Sequence, residues 1–297
     1  MSRLAARLGL AAASLFLVLG SAEAALRIFG FGEVMTYQAD PRFGYLMRPS
    51  QRISTWGDVI AINSLGLRGP ELRNPKPPGL LRVIFAGDSV TYGGGRVHEY
   101  ELFCRRVEAL AANEGLELEA VNVSAPGWSP QNWVAWLDAH GTLDADLVLP
   151  VFPAIDLRRP FATMDKVGIV DRAPALRLGT LLLKLRAQRI PGLPLTNESL
   201  QANVDAVRGV LARFPATPFL AVFVESRPTQ EPKPSYWGPY EALFPDPIDV
   251  RSELGPSDFV DDVHLSPAGH AAVAQRVWSR LGPRLRELLD ARRARPL

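Results

Sequence analysis

The sequence predicts an α/β protein, a three-layer α/β/α sandwich with a mainly parallel central sheet, and three observations carry that prediction. Short apolar runs rich in β-branched residues alternate with longer amphipathic runs over residues 80 to 282. That order is expected of strands covered by helices on both faces and joined by right-handed crossovers. The first run, Val83-Ile84-Phe85-Ala86, is continuously apolar, as a central parallel strand buried on both faces must be. It ends at Gly87-Asp88-Ser89, at the carboxyl end of the strand, where open α/β sheets place their ligands.

A chain of 297 residues holds one large α/β domain or two small ones, and 47% hydrophobic residues is an ordinary globular content. Lys and Arg number 33 against 31 Asp and Glu, and this near-neutral balance gives no electrostatic footprint for nucleic acid. The cluster Arg284, Arg286, Arg292, Arg293 and Arg295 lies on a terminal helix pattern and reads as a solvated face or frayed tail. The single Cys104 excludes an internal disulfide and a cysteine-built metal site, and its amphipathic surroundings suit a small core residue.

Taken in order, the chain begins with Arg3 and Arg7, followed by the uncharged run Leu8 to Ala22 and then Glu23. A run of this length fits the core of a signal peptide, and Ala22-Glu23-Ala24 offers a small-x-small cleavage pattern. The alternative is an uncleaved anchor that continues through Ala24, Ala25, Leu26 and Ile28. Residues 1–25 are therefore expected to be a signal peptide or N-terminal membrane anchor, and the protein to be exported. Residues 26–79 read as an irregular lead-in with a strand-like piece at Val59 to Ile62, stopped by the loop Asn74-Pro75-Lys76-Pro77-Pro78-Gly79. Residues 80–297 form the α/β domain.

Within it, helix patterns cover 99–113, 131–139 and 197–214, with a final helix starting near Pro267. Strands are expected over 118–123, 146–152 and 219–224, with a short fifth at Ile248-Asp249-Val250. Residues 157–195 are less regular and read as an insertion or lid, with an apolar, basic helix near Leu176 to Ala187.

A serine hydroxyl is a poor nucleophile until a base takes its proton, so Ser89 requires a histidine. Four exist. His98 at a helix start, His140 at a helix end and His270 inside the last helix suit surface or capping roles. His264 stands on a loop just ahead of a helix that Ser266 can cap and Pro267 can begin. Asp261, three residues earlier, can reach the imidazole Nδ1 within a single turn and fix the tautomer, the role of the acid in a serine triad. Asp262 is the alternative acid, although neighbours along a turn face different directions.

Gly-Asp-Ser near the start, Asp-x-x-His near the end and alternating α/β between them resemble the SGNH hydrolases, also called the GDSL esterase/lipase family, over about residues 80 to 282. The resemblance implies that Ser89 is the nucleophile and that Asp261 and His264 are the acid and base. Asn122-Val123-Ser124-Ala125-Pro126-Gly127-Trp128-Ser129 is similar to the family's second block, which implies that the Gly127 backbone N–H helps to hold the oxyanion. The third block departs: the family's Gly-x-Asn-Asp is matched by Phe152-Pro153-Ala154-Ile155-Asp156, and Ile155 cannot donate a hydrogen bond. Gln131 and Asn132 are substitutes that helix-start capping explains equally well, and Asp156 is left as a structural turn residue. Ile62-Asn63-Ser64-Leu65-Gly66-Leu67-Arg68-Gly69 resembles the lead-in of exported, membrane-associated members, with no catalytic role assigned to Arg68.

The resemblance implies a serine esterase acting on a small-molecule or carbohydrate ester, with acetyl or short acyl groups on envelope or extracellular carbohydrate favoured, and with no metal or organic cofactor. One alternative is an O-acetyltransferase that passes the acyl group to a polysaccharide hydroxyl. Another is a catalytically weak carbohydrate-binding or assembly protein, motivated by Ile155 and by Trp128, Trp133, Trp136 and Trp237, which core packing explains as well.

Overall fold

The computed structural model describes residues 3–55, 58–94, 97–167, 169–180, 183, 193–227 and 236–293. Helix α1 (Arg3–Ile28) comes first and buries none of its residues. Two antiparallel hairpins follow, β1 (Tyr37–Asp40) with β2 (Gly44–Met47) and β3 (Arg52–Thr55) with β4 (Asp58–Ala61). The lead-in expected to be irregular therefore holds four strands. Each is only four residues long, too short for a period of two to stand out in sequence. Tyr37, Tyr45, Met47, Ile60 and Ile62 join the apolar cluster of the main domain.

The domain proper runs through β5 (Leu81–Gly87), α2 (Ser89–Tyr92), α3 (Phe103–Asn113), β6 (Leu118–Ser124), α4 (Pro130–His140) and β7 (Leu147–Pro153). It continues through α5 (Met164–Val167), α6 (Asn197–Arg213), β8 (Val222–Val224), α7 (Gly238–Leu243), β9 (Ile248–Asp249) and α8 (Pro267–Arg293). The five later strands form one sheet in the order β6-β5-β7-β8-β9, with every pair parallel. All residues of β5, β6 and β7 are buried; β5 and β7 carry continuous apolar runs at 83–86 and 147–153, while β6 includes the buried polar residues Glu119, Asn122 and Ser124.

One face of the sheet packs on α3 and α8 through Phe103, Val107, Val273 and Leu281. The other packs on α4 and α6 through Trp133, Trp136, Val204 and Val207, together with the hairpins. This is the expected three-layer arrangement. Trp128, Trp133, Trp136 and Trp237 are all buried, none more than 4% exposed, so they are core residues and not sugar platforms.

Two elements depart from expectation. The helix expected over 99–113 is divided into a 3-10 turn at Glu99–Glu101 and α3, because Leu102 takes an extended ψ of 138° and is completely buried. The strand expected over 219–224 is continuous only at β8, while Phe219 makes a single parallel bridge to Val148. Of the helix expected over Leu176 to Ala187, residues 181, 182 and 184–187 lie outside the described residues, as do Gly95 and Arg295. Two arginines of the terminal cluster have specific partners: Arg286 pairs with Glu114 and Arg292 with Asp146.

Candidate active site

Strand β5 delivers Ser89 to the first position of α2. Asp88 caps that helix, its Oδ1 accepting from the Val90 N–H at 2.8 Å. Gly87 makes the sharp transition possible: a Cβ there would lie 2.1 Å from Thr91 Oγ1 and 3.2 Å from the Val151 carbonyl.

The loop carrying Asp261 and His264 is closed by an antiparallel bridge between Phe259 and Leu265 and by a 2.9 Å bond from the Val260 N–H to the His264 carbonyl. Asp261 Oδ1 accepts from the backbone N–H groups of Val263 and His264, at 2.9 and 2.8 Å. Its Oδ2 lies 2.8 Å from His264 Nδ1, and His264 Nε2 lies 2.9 Å from Ser89 Oγ, a contact between residues 175 apart. Partial burial pushes the Asp261 carboxyl up, but the backbone N–H groups of His264 and Val263 and the imidazole together hold it below its ordinary value. An ionised Asp261 keeps the proton on Nδ1 and turns the Nε2 lone pair toward Ser89. Asp262, the alternative acid, instead offers its carbonyl to the Arg227 N–H at 2.9 Å.

The N–H groups of Ser89 and Gly127 donate to no partner among the described residues. Gly127 has φ of +83°, and a Cβ there would lie 3.0 Å from Tyr45 Oη and 3.3 Å from Val167 Cγ1. Tyr45 donates to the Pro126 carbonyl at 2.6 Å. Because a trans peptide points its C=O and N–H in opposite directions, this bond turns the Gly127 N–H away from Tyr45.

Neither sequence candidate for the missing donor is uncommitted. Asn132 is fully buried and bonds Ser129, Phe43 and Ala162, while Gln131 Nε2 donates to Asn203 Oδ1 at 3.0 Å. Ile155 sits in a 3-10 turn after β7. With Leu157, Leu195, Tyr236, Trp237 and Val263 it lines a cavity of about 480 Å³ at the carboxyl ends of β7 and β8.

Behind Ser89 lies a group that the sequence did not announce. Asp88 Oδ2 lies 3.2 Å from Ser89 Oγ and 3.5 Å from Arg159 Nη1. The same nitrogen is 2.7 Å from Asp156 Oδ1 and donates to the Trp128 carbonyl at 3.0 Å. Among the described residues, Arg159 Nε and Nη2 make no hydrogen bond. Asp156 is 3% exposed, and burial pushes its carboxyl well above the ordinary range despite Arg159. The only sequence signal was the spacing Asp156-x-x-Arg159, which puts two opposite charges on one turn.

Arg68 is 1% exposed and fastens the chain that follows the serine. Its Nη1 donates to the Tyr92 and Gly94 carbonyls at 2.8 Å each, its Nη2 to the Val97 carbonyl at 2.6 Å and its Nε to Glu99 Oε2 at 3.0 Å. A Cβ at Gly94 would lie 3.9 Å from the His264 ring, so this pinned segment borders the imidazole.

The other histidines stand apart from Ser89. His140 stacks on Trp136 at a helix end, and His98 caps the 3-10 turn. His270 is not a surface or capping residue: it is fully buried against Phe103 and accepts from the Phe103 N–H at 3.2 Å through Nδ1. Burial pushes its pKa down to about 3, leaving a neutral ring.

Comparison with protein-family models finds no match, and comparison with curated proteins finds none either. Among solved structures the chain is similar to TesA, at 15% identity with a TM-score of 0.43, over 68% of this chain and 98% of that one. It is similar to the acetyl xylan esterase AlAXEase at 15% identity, with a TM-score of 0.45 over 67% and 99%. A third is a member of the lipolytic protein G-D-S-L family from Veillonella parvula DSM 2008, at 11% identity, with a TM-score of 0.41 over 67% and 97%.

Proposed function

We propose that this chain is a serine esterase of the SGNH type that hydrolyses an acyl ester. Ser89 Oγ attacks the acyl carbonyl and passes its proton to His264 Nε2, while Asp261 orients the ring and stabilises the resulting imidazolium. The alcohol leaves with that proton, and a water activated by the same nitrogen then releases the acid and frees Ser89. The uncommitted N–H groups of Ser89 and Gly127 receive the oxyanion. The observation that carries this reading is the line of hydrogen bonds from Asp261 through His264 to Ser89, at 2.8 and 2.9 Å.

Removing one oxyanion donor costs about 10²–10³ in kcat, so Ile155 calls for compensation. Arg159 offers it as a fixed cation, one carboxylate oxygen away from Ser89 and with Nε and Nη2 uncommitted. The cavity beside Ile155 is far larger than an acetyl group, so we assign it to the alcohol portion of a short-chain ester, a carbohydrate being the favoured class. Burial of the tryptophans removes one of the two motives for a carbohydrate-binding protein without catalysis. Helix α1 suits an exported or membrane-bound enzyme.

The test is labelling of the purified protein with a fluorophosphonate probe, alongside hydrolysis of p-nitrophenyl acetate. Both signals disappear in Ser89→Ala and His264→Ala. Absence of labelling in folded wild-type protein overturns the proposal.

A further inference from the structure

Helix α1 is a rod of apolar side chains with no protein cover: Leu8 is 62% exposed, Leu10 70%, Phe16 82% and Leu17 70%. Such a surface in water is strongly unfavourable, so the helix either leaves the protein or enters a lipid bilayer. Cleavage of a leader at Ala22-Glu23-Ala24 and retention of the helix as an anchor make different demands on Glu23, and the structure distinguishes them.

Glu23 is not at a loose junction. Its carboxylate accepts from the backbone N–H groups of Arg177 and Leu178, at 2.9 and 3.0 Å, and from Arg27 Nε at 2.7 Å. Arg27 in turn donates to the Ala175 carbonyl at 2.8 Å, and Arg177 Nη2 bonds Glu33 Oε1 at 2.8 Å. The Glu23 side chain is only 13% exposed, and the helix continues unbroken past it to Ile28. The small-x-small site is thus helical and tied to the folded domain through Glu23, with Ala22 half-buried and Ala24 exposed.

We propose that α1 is retained in the mature protein as a membrane anchor, and that Glu23 and Arg27 form a joint that seats the catalytic domain on the bilayer surface. The occupant of the apolar rod is a lipid bilayer, and three features fit it. The helix Arg3–Ile28 has 26 residues, about 39 Å, enough to cross a bilayer core of about 30 Å. Arg3 and Arg7 precede the apolar run, which orients the amino terminus inward and the domain outward. Around the joint, Ile28, Phe29 and Leu176 are 79%, 71% and 56% exposed, a skirt of apolar side chains at the level where aromatic residues meet lipid headgroups.

The joint also reaches toward the candidate active site. The same stretch that receives Glu23 and Arg27 leads back through Val170, whose carbonyl accepts from the Tyr37 N–H, to Val167 beside Gly127.

The experiment uses the full chain with a carboxyl-terminal tag, expressed in a bacterial host and fractionated. The expected result is a species of full-length mass that stays in the membrane pellet after alkaline carbonate extraction. A soluble species beginning near residue 25 overturns retention, and a full-length species released by carbonate overturns the bilayer as occupant. The joint is tested on detergent-solubilised Glu23→Leu protein by limited trypsin digestion. Cleavage after Arg172 and Arg177 is expected to accelerate about fivefold or more, while unchanged cleavage overturns the joint. None of these readouts depends on esterase activity.

Discussion

Replacing Arg68 with leucine removes a cation that bonds neither Ser89 nor His264 yet holds the segment that follows the nucleophile. Three carbonyls, those of Tyr92, Gly94 and Val97, lose their donor, and Glu99 loses its partner. Leaving a buried acceptor unsatisfied costs about 1–3 kcal/mol, and breaking a buried ion pair costs about 3–5 kcal/mol. The Gly94 carbonyl and the Glu99 side chain, 21% exposed, can recover some hydration, so the low ends of both ranges apply. The expected loss is about 4–6 kcal/mol, against a typical total stability of about 5–15 kcal/mol. Arg68→Lys keeps the charge but cannot span all four acceptors with one ammonium, so about half that loss is expected. Equilibrium urea unfolding, followed by tryptophan fluorescence, gives the stabilities, and fluorophosphonate labelling at low urea reports the geometry around Ser89. Both variants are expected to label more slowly than wild type, since the freed segment borders the His264 ring. A leucine variant within about 1 kcal/mol of wild type and labelled at the wild-type rate refutes the argument.

Three other outcomes follow from the same structure. Gly127→Ala has to place a Cβ 3.0 Å from Tyr45 Oη at φ of +83°, so the proposed oxyanion N–H shifts. Hydrolysis of p-nitrophenyl acetate is expected to fall about 10–100-fold with the circular dichroism spectrum unchanged, in keeping with weakening rather than deleting one donor. Asp156→Asn replaces a carboxyl whose charged form burial disfavours, so thermal unfolding should show stability within about 1 kcal/mol of wild type, while Asp156→Ala loses about 2 kcal/mol. His270 has a folded pKa of about 3 against 6.5 for an unperturbed ring, so the unfolded state binds the extra proton between those values. Its contribution is complete above pH 6.5 and is lost as pH falls, at up to about 1.4 kcal/mol per unit. Urea unfolding of His270→Gln should show a shallower acid slope than wild type over pH 4–6, and equal slopes contradict the buried neutral ring.

The resemblance to SGNH hydrolases implies that Ser89, Asp261, His264 and Gly127 act together, and it rests on the order of two distant blocks in an alternating α/β chain, each block being a weak signal alone. Ser89 stands at the end of a buried strand, and His264 precedes a helix marked by Ser266 and Pro267. Both signals lie within a few residues of the side chain concerned, so no distant contact is needed to read them. The parallel sheet was legible because burial on both faces leaves continuous apolar runs in β5 at 83–86 and in β7 at 147–153.

The order of strands and helices, and the local punctuation that marks where side chains can work, are encoded in patterns between near neighbours. Which polar groups are withdrawn from water and which remain uncommitted depends on packing between distant segments. Asn132 and Gln131 looked like spare donors until their partners on other segments were seen. Asp156 read as a structural turn residue until Arg159 was seen beside it, and Arg68 had no assigned role until the carbonyls of a segment 24 to 29 residues away turned toward it. The placement of Glu23 follows the same rule, its partners lying about 150 residues further along. Backbone period and capping act between near neighbours, whereas hydrogen-bond partnership and desolvation are set by whatever the fold brings alongside, and no local pattern encodes them.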